Sequence, residues 1–248
     1  GDTGVGTFGG SEDHTAIFGC QVDTIAQYRF CPVRFEQSIA MPDGLVWAIG
    51  SSGISAEKTG PVQESFNRAS QLVSAVTEIW RGATGYDDLY LATAIQRSAD
   101  APQRIRDVLE NVSDGPFTSR QLLDRFEHFI TESEQIIPEA VNALNTGDLD
   151  AFGAMVDRSQ ALAESLLGNQ VPQTIHLASS ARQLGAIAAS AFGAGFGGSV
   201  WALVKADRAD QFLGDWSRDY GTRFPEAASA ASFFTTRTGQ SAFAIPGS

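Results

Sequence analysis

Two groups of residues in this 248-residue chain have types and spacing that could do chemistry. The first is Gly193-Ala194-Gly195-Phe196-Gly197-Gly198-Ser199, where four glycines in six residues let a backbone approach a ligand closely. The second is Gly9-Gly10-Ser11-Glu12-Asp13-His14. Ser11 is a good N-cap type, and Glu12 and Asp13 follow in a first helical turn, where negative charge meets the helix dipole. Asp13 would therefore project a carboxylate from a helix start. On its residues alone the glycine cluster has two readings: a tight hairpin crowded against a neighbouring helix, or a ligand-facing loop.

Other chemistries are excluded by what surrounds these groups. The spacing G-x-G-x-G-G departs from the dinucleotide fingerprint, and no following helix offers its N-terminus within a βαβ unit. Neither Lys58 nor Lys205 follows a glycine, as a P-loop requires. Protein-kinase motifs, the G-x-S-x-G elbow and H-E-x-x-H are missing. His14, His128 and His176 are too scattered for a metal site and read as ordinary histidines.

A net charge of -12 supplies no basic stripe for nucleic acid or an anionic membrane. With 43% hydrophobic and 19% charged residues, the chain reads as a soluble globular protein with one large core or two small ones. Cys20 and Cys31 form no C-x-x-C pair and read as thiols in a reducing compartment. No charged n-region with an apolar run follows Gly1, which favours a cytoplasmic protein supplied as a fragment. The uncharged run 184–204 has the length of a membrane span, but its centre is Gly, Ala and Ser. Two short buried strands joined by a glycine turn fit it better.

The elements that must position these groups follow from periodicity. Residues 22–40 are strand-like, with an edge or bulge near Pro32. Residues 45–49 form a short buried strand entering the loop Gly50-Ser51-Ser52-Gly53. A helix opens at Pro61 and carries Val62, Phe66, Ala69, Val73, Val76 and Trp80 on one face. Thr118 and Gln121 form a capping box before Leu122, Phe126, Phe129 and Ile130. Pro138 kinks or restarts that helix, Gly147 closes it and Asp148 caps the next. Pro172 opens a further helix, the glycine hairpin follows, Asp207 caps another helix, and 231–236 is a last strand. Helices returning between strands give an α+β sandwich.

Taken together and in order, these residues resemble a known family. Gly193 to Gly198 with Ser199 is similar to the third motif of the galactokinase, homoserine, mevalonate and phosphomevalonate (GHMP) kinases. Thr131-Glu132-Ser133-Glu134, then Gly147-Asp148, Phe152-Gly153 and Ser159, resemble the galactokinase run in which T-E-N precedes G-D and F-G. Glu64-Ser65-Phe66-Asn67-Arg68 resembles the sugar-side segment, with Phe66 where a sugar-contacting Tyr is usual. Gly9 to His14 resembles the catalytic aspartate segment, with His14 where Gln is usual. The first motif and the second, serine-rich nucleotide loop are not among these residues.

The resemblance implies the carboxyl-terminal portion of a galactokinase-like sugar kinase: residues 1–50 the end of an amino-terminal catalytic domain, and 51–248 a ferredoxin-like α/β carboxyl-terminal domain. It implies transfer of the ATP γ-phosphoryl group to a sugar hydroxyl. Asp13 would orient or deprotonate that hydroxyl, Gly10 and Phe66 would lie on the sugar side, and Gly193, Gly195, Gly197, Gly198 and Ser199 would line the phosphate loop. Mg²⁺ ligands and most nucleotide contacts are expected in an upstream segment of the same protein. Two alternatives stand beside this one: a sugar- and ATP-binding regulator without turnover, and a structural half that pairs with a separate chain carrying the upstream motifs.

Overall fold

The computed structural model describes residues 10–30, 32–56 and 61–243, which fall into two compact units. One holds residues 61–137 and 161–169; the other holds 10–56, 138–160 and 170–243. The chain enters through helix α1 (Glu12–Gly19), with both expected acids in its first turn. Ser11 sits at the N-cap, but φ -102° and ψ 11° leave its hydroxyl without a cap bond, which corrects the expected role. A capping side chain reaches the first amides from extended backbone, and Ser11 is not extended. Strands β1 (Thr24–Arg29) and β2 (Arg34–Ala40) then pair antiparallel, with a bulge at Gln27/Tyr28 and Pro32 in the intervening turn. Cys20 is half-buried, and Cys31 and Gly9 lie outside the described residues.

After β3 (Leu45–Ser51) the chain builds the helical unit. Helix α2 (Pro61–Thr84) buries Val76 and Trp80, two residues of its anticipated stripe. Helices α3 (Leu91–Ile95) and α4 (Ala101–Glu110) were not anticipated, although Pro102 in a first turn and Ile105 and Leu109 at a four-residue step signal the second. Helix α5 (Ser119–Thr131) begins with the capping box: Gln121 N donates to Thr118 Oγ1 at 3.3 Å, and Thr118 N to Gln121 Oε1 at 3.1 Å. Leu91, Ile105, Leu109, Leu122 and Phe126 close the core around Trp80. Each such fully buried side chain contributes about 1.5–3 kcal/mol. Asp88 ties the α2–α3 connection to this core, accepting from Trp80 Nε1 at 3.0 Å and from Arg97 Nε and Nη2 at 3.0 Å each. The Arg97 hydrogen bond, above all, holds the Asp88 carboxyl below its ordinary range, against the effect of burial.

A π-helical turn at Glu132–Ile136 precedes α6 (Ile137–Thr146). Pro138 has no N–H to continue the ladder, and the wider turn absorbs the lost bond. Gly147, at φ +74°, ends α6, and Asp148 Oδ1 accepts from Ala151 N at 2.9 Å to start α7 (Leu149–Leu162) as expected. Helix α8 (Pro172–Gln183), β4 (Ala188–Ala191), β5 (Ser199–Lys205), α9 (Ala209–Arg223) and β6 (Ser232–Thr236) complete the chain. Asp207 lies inside the 3₁₀ turn Ala206–Arg208 and does not cap α9, whose N-cap is Arg208.

The strands order β4-β5-β3-β6, all antiparallel, with Leu45 opposite Lys205 and Ser51 opposite Ser199. Alternation then divides the side chains between two faces. Val46, Ala48, Val200, Ala202 and Val204 pack with Leu177 of α8 and with Phe212, Trp216 and Tyr220 of α9. Trp47, Trp201, Leu203 and Ala188 join Leu144, Phe152 and Val156 of α6 and α7, with Ile39 of β2. The fold is α+β, and the run 184–204 is the strand pair β4–β5. No helix among the described residues is long and apolar enough to cross a membrane.

Candidate functional site

The glycine loop is the connection Phe192–Gly198 between β4 and β5, closed where Phe192 N donates to Ser199 O at 3.0 Å. Gly193, Gly195, Phe196, Gly197 and Gly198 all adopt positive φ, at 52°, 77°, 62°, 125° and 79°. Glycine accepts these angles without a Cβ clash, whereas Phe196 carries a strain of about 1 kcal/mol or more. The strain persists because both ends of the loop are fixed.

The exit is fixed by residues 52–54. Ser52 donates to Gly198 O twice, from N at 2.9 Å and from Oγ at 2.7 Å, and Gly198 N donates to Ile54 O at 2.8 Å. Ile54 N donates to Ser52 Oγ at 3.2 Å, and Tyr220 Oη donates to Ser52 O at 2.5 Å. Burial, with a smaller effect of Glu226, raises the Tyr220 phenol pKa and keeps it a donor. The entry is fixed by buried Gln160 of α7, whose Oε1 accepts from Ser190 Oγ and Ala191 N at 3.0 Å each. An edge strand otherwise leaves such an amide unpaired.

The two readings of the cluster divide along the loop. A Cβ on Gly197 would stand 2.9 Å from Ile54 O, so that glycine serves close backbone approach. The crowding neighbour is the segment after β3, not a helix. Around Gly193 a Cβ would meet nothing within 4 Å, and Gly193 and Ala194 are exposed. What results is a loop with anchored ends and a tip that is exposed to solvent at Gly193 and Ala194.

Asp13 and Gly10 are exposed at the start of α1, in the same compact unit as the loop. Helix α1 is held through Gly19 O, which accepts from Tyr28 Oη at 3.2 Å, and Ile17 O, which accepts from Ala242 N at 2.7 Å. Phe66 is half-buried on α2, in the helical unit. His14 is exposed, and His176 Nε2 contacts Asp219 Oδ2 at 2.7 Å. His128 Nδ1 lies 3.0 Å from Arg125 Nη1, and burial, then the Arg125 charge, lowers its pKa to about 4. Neutral His128 is thus an acceptor for a guanidinium whose own pKa burial lowers to about 10. Among the described residues no group of three or more His, Cys, Asp or Glu could hold a metal ion.

Ser52, Gln160 and Tyr220 were not singled out by sequence reasoning. Gln160 follows Val156 by four residues and Tyr220 follows Trp216 by four, so both merge into the core stripe of their helices. Only the small polar run after β3 pointed to a loop at Ser52.

Comparison with known proteins gives this geometry a context. Residues 140–222 match the family described as GHMP kinases C terminal. The chain is 31% identical to a galactokinase of Streptococcus thermophilus over 115 residues, which is 45% of this chain and 28% of that protein. It is 31% identical to a galactokinase of Exiguobacterium sibiricum over 129 residues, 51% of this chain and 32% of that protein. The structure of Lactococcus lactis galactokinase complexed with galactose superposes with a TM-score of 0.71 at 22% identity, over 92% of this chain and 54% of that one. The chain therefore spans about half of the crystallised relative, and its matches span under a third of each curated one. The motif resemblance agrees with these findings: the chain shares the fold of a galactokinase structure, and residues 140–222 carry the sequence pattern of the GHMP kinases C terminal family.

Proposed function

We propose that this chain is the carboxyl-terminal part of an ATP-dependent, galactokinase-like sugar kinase of the cytoplasm. The observation that carries the proposal is the glycine loop, anchored at both ends with its tip exposed to solvent, inside the stretch that matches the GHMP kinases C terminal family. ATP supplies the phosphoryl group, and the residues of this chain bind and orient. Phosphoryl transfer needs positioning and charge neutralisation more than covalent chemistry, and a backbone cradle that does not reorganise meets the first need. Gly193, Gly195, Gly197, Gly198 and Ser199 form that cradle, with Gly197 and Gly198 serving chiefly to lock it onto residues 52–54. Asp13 accepts or orients the proton of the attacking sugar hydroxyl, with Gly10 on the sugar side. Among the described residues no group of three or more His, Cys, Asp or Glu could hold Mg²⁺, and its ligands would lie mainly in the amino-terminal portion.

The test is a coupled assay of ADP release with a panel of monosaccharides. The complete protein encoded by the reading frame should release ADP in a sugar-dependent manner, and residues 1–248 alone should not. Sugar-dependent turnover by residues 1–248 alone would overturn the division of labour between the two portions. Binding of sugar and ATP by the complete protein without turnover would favour a sensor.

A further inference from the structure

Helix α1 carries Asp13 but is not held by packing of its own. Its eight residues bury no side chain, and its N-cap makes no side-chain bond. A helix of that length is marginal in water without outside contacts. Ile17 lies one turn beyond Asp13 on the same face. Its carbonyl falls in the last turn, where no amide of the helix can reach it. That carbonyl accepts instead from Ala242 N at 2.7 Å. Just past the helix Asp23 takes a left-handed φ of 57°, uncommon for a residue with a side chain. Its amide donates to Thr238 Oγ1 at 2.8 Å, and its carbonyl accepts from Met41 N at 2.9 Å.

The bonds from Ala242 and Thr238 come from one segment, residues 237–243, which has no regular secondary structure and begins where β6 ends. Its root is fixed, because β6 pairs with β3 from Ser232 opposite Ser51 to Thr236 opposite Trp47. The same β3 pairs with β5, whose first residue, Ser199, closes the glycine loop. Residues 237–243 therefore lead from the sheet that holds Gly193–Ser199 to the helix that holds Asp13. They grip it at its last turn and at the turn into β1, and all of these residues lie in one compact unit.

We infer that residues 237–243 are a clamp that positions Asp13, with Thr238 Oγ1 and the Ala242 amide as its two points of grip. The inference rests on the function proposed above. A group that accepts or orients a proton must stay within hydrogen-bond reach of the hydroxyl it serves, and a displacement of about 1 Å can cost about 10²-fold in rate. An eight-residue helix with no buried side chain gains such precision only from ties to a rigid frame. Here the frame is the sheet that also carries the glycine loop, so the acid and the loop share one reference. Thr238 and Ala242 act through α1 and are positioning residues.

Two substitutions in the complete protein release the clamp separately. Thr238→Val removes the acceptor at nearly constant shape, and Ala242→Pro removes the donor. Each should lower kcat for sugar phosphorylation about 10- to 100-fold while KM for the sugar moves less than about 2-fold. Thr238→Ser keeps the hydroxyl and should restore the wild-type rate. In an Asp13→Asn background neither substitution should lower kcat further, because the carboxylate they position is gone; a further loss of the same size would assign the effect to folding and overturn the role. Amide hydrogen exchange of residues 15–20 should become at least about 10-fold faster in both variants. It should stay unchanged in Thr236→Val, whose hydroxyl donates locally to Arg237 O. Wild-type kcat in both variants, or unchanged exchange of 15–20 in both, would overturn the inference. Faster exchange in the two variants of a complete protein that makes no sugar phosphate would uphold the clamp and remove only the kinase reading.

Discussion

Replacing Gly197 with Ala probes the anchored loop most sharply, because two costs act together. The new Cβ at φ +125° occupies a region almost reserved for glycine, at about 1–3 kcal/mol. It also stands 2.9 Å from Ile54 O, 3.2 Å from Ile54 Cγ2 and 3.3 Å from Ser55 O, so the backbone of 54–55 must move. That movement stretches the 2.8 Å bond from Gly198 N to Ile54 O, worth about 1 kcal/mol. The sum is about 3 kcal/mol. In a unit of this size it lowers Tm by about 6–12 °C. Gly193→Ala is the matched control: at φ +52°, with nothing within 4 Å, it incurs only the left-handed cost of about 1–2 kcal/mol. Thermal unfolding followed by circular dichroism on residues 1–248 measures both without any ligand. A Gly197→Ala protein melting within 2 °C of wild type, or a Gly193→Ala protein losing as much as Gly197→Ala, would refute the assignment of Gly197 to close packing.

Three further outcomes follow from named contacts. His128 has a folded pKa of about 4 against an unfolded value of 6.5, so the stabilisation from keeping it neutral is complete above pH 6.5 and is lost as pH falls towards 4. The loss reaches about 2 kcal/mol at pH 5, and urea unfolding at pH 7 and 5 should show a pH dependence smaller by that amount in His128→Asn; equal dependence in both proteins would contradict it. Asp88→Asn removes the charge that accepts from Trp80 and Arg97 and should cost about 2–4 kcal/mol by denaturant unfolding, with wild-type stability the contrary result. In the complete protein Asp13→Asn should lower kcat by about 10² to 10⁴ with the fold intact by circular dichroism, and an unslowed variant would take the proton-handling role from Asp13.

What the sequence made legible was what depends on neighbours along the chain. The Thr118/Gln121 capping box, the Gly147–Asp148 boundary and the glycine hairpin are set by residues within a few positions of one another, and each lies where periodicity and cap chemistry put it. The functions of Ser11 and Asp207 as caps failed because cap geometry depends on the incoming backbone, which residue type alone does not specify. The anchors of the loop were illegible for a related reason. Ser52 bonds Gly198 across 146 residues and Tyr220 bonds Ser52 across 168, and no local pattern records such a pairing. Likewise, nothing in the residue types alone distinguishes Gly197, pressed against Ile54, from Gly193, which faces open space.

The central claim is that Asp13 and the loop Gly193–Ser199 belong to a sugar kinase completed by an amino-terminal portion. Phosphorus NMR of the complete protein with ATP, Mg²⁺ and galactose or a related monosaccharide tests it most directly, because it identifies both the transfer and the hydroxyl that receives the phosphate. A sugar phosphate resonance should appear at the anomeric oxygen and grow as ATP falls. A complete, folded protein that binds sugar and ATP and yields no sugar phosphate with any sugar of the panel would contradict the claim.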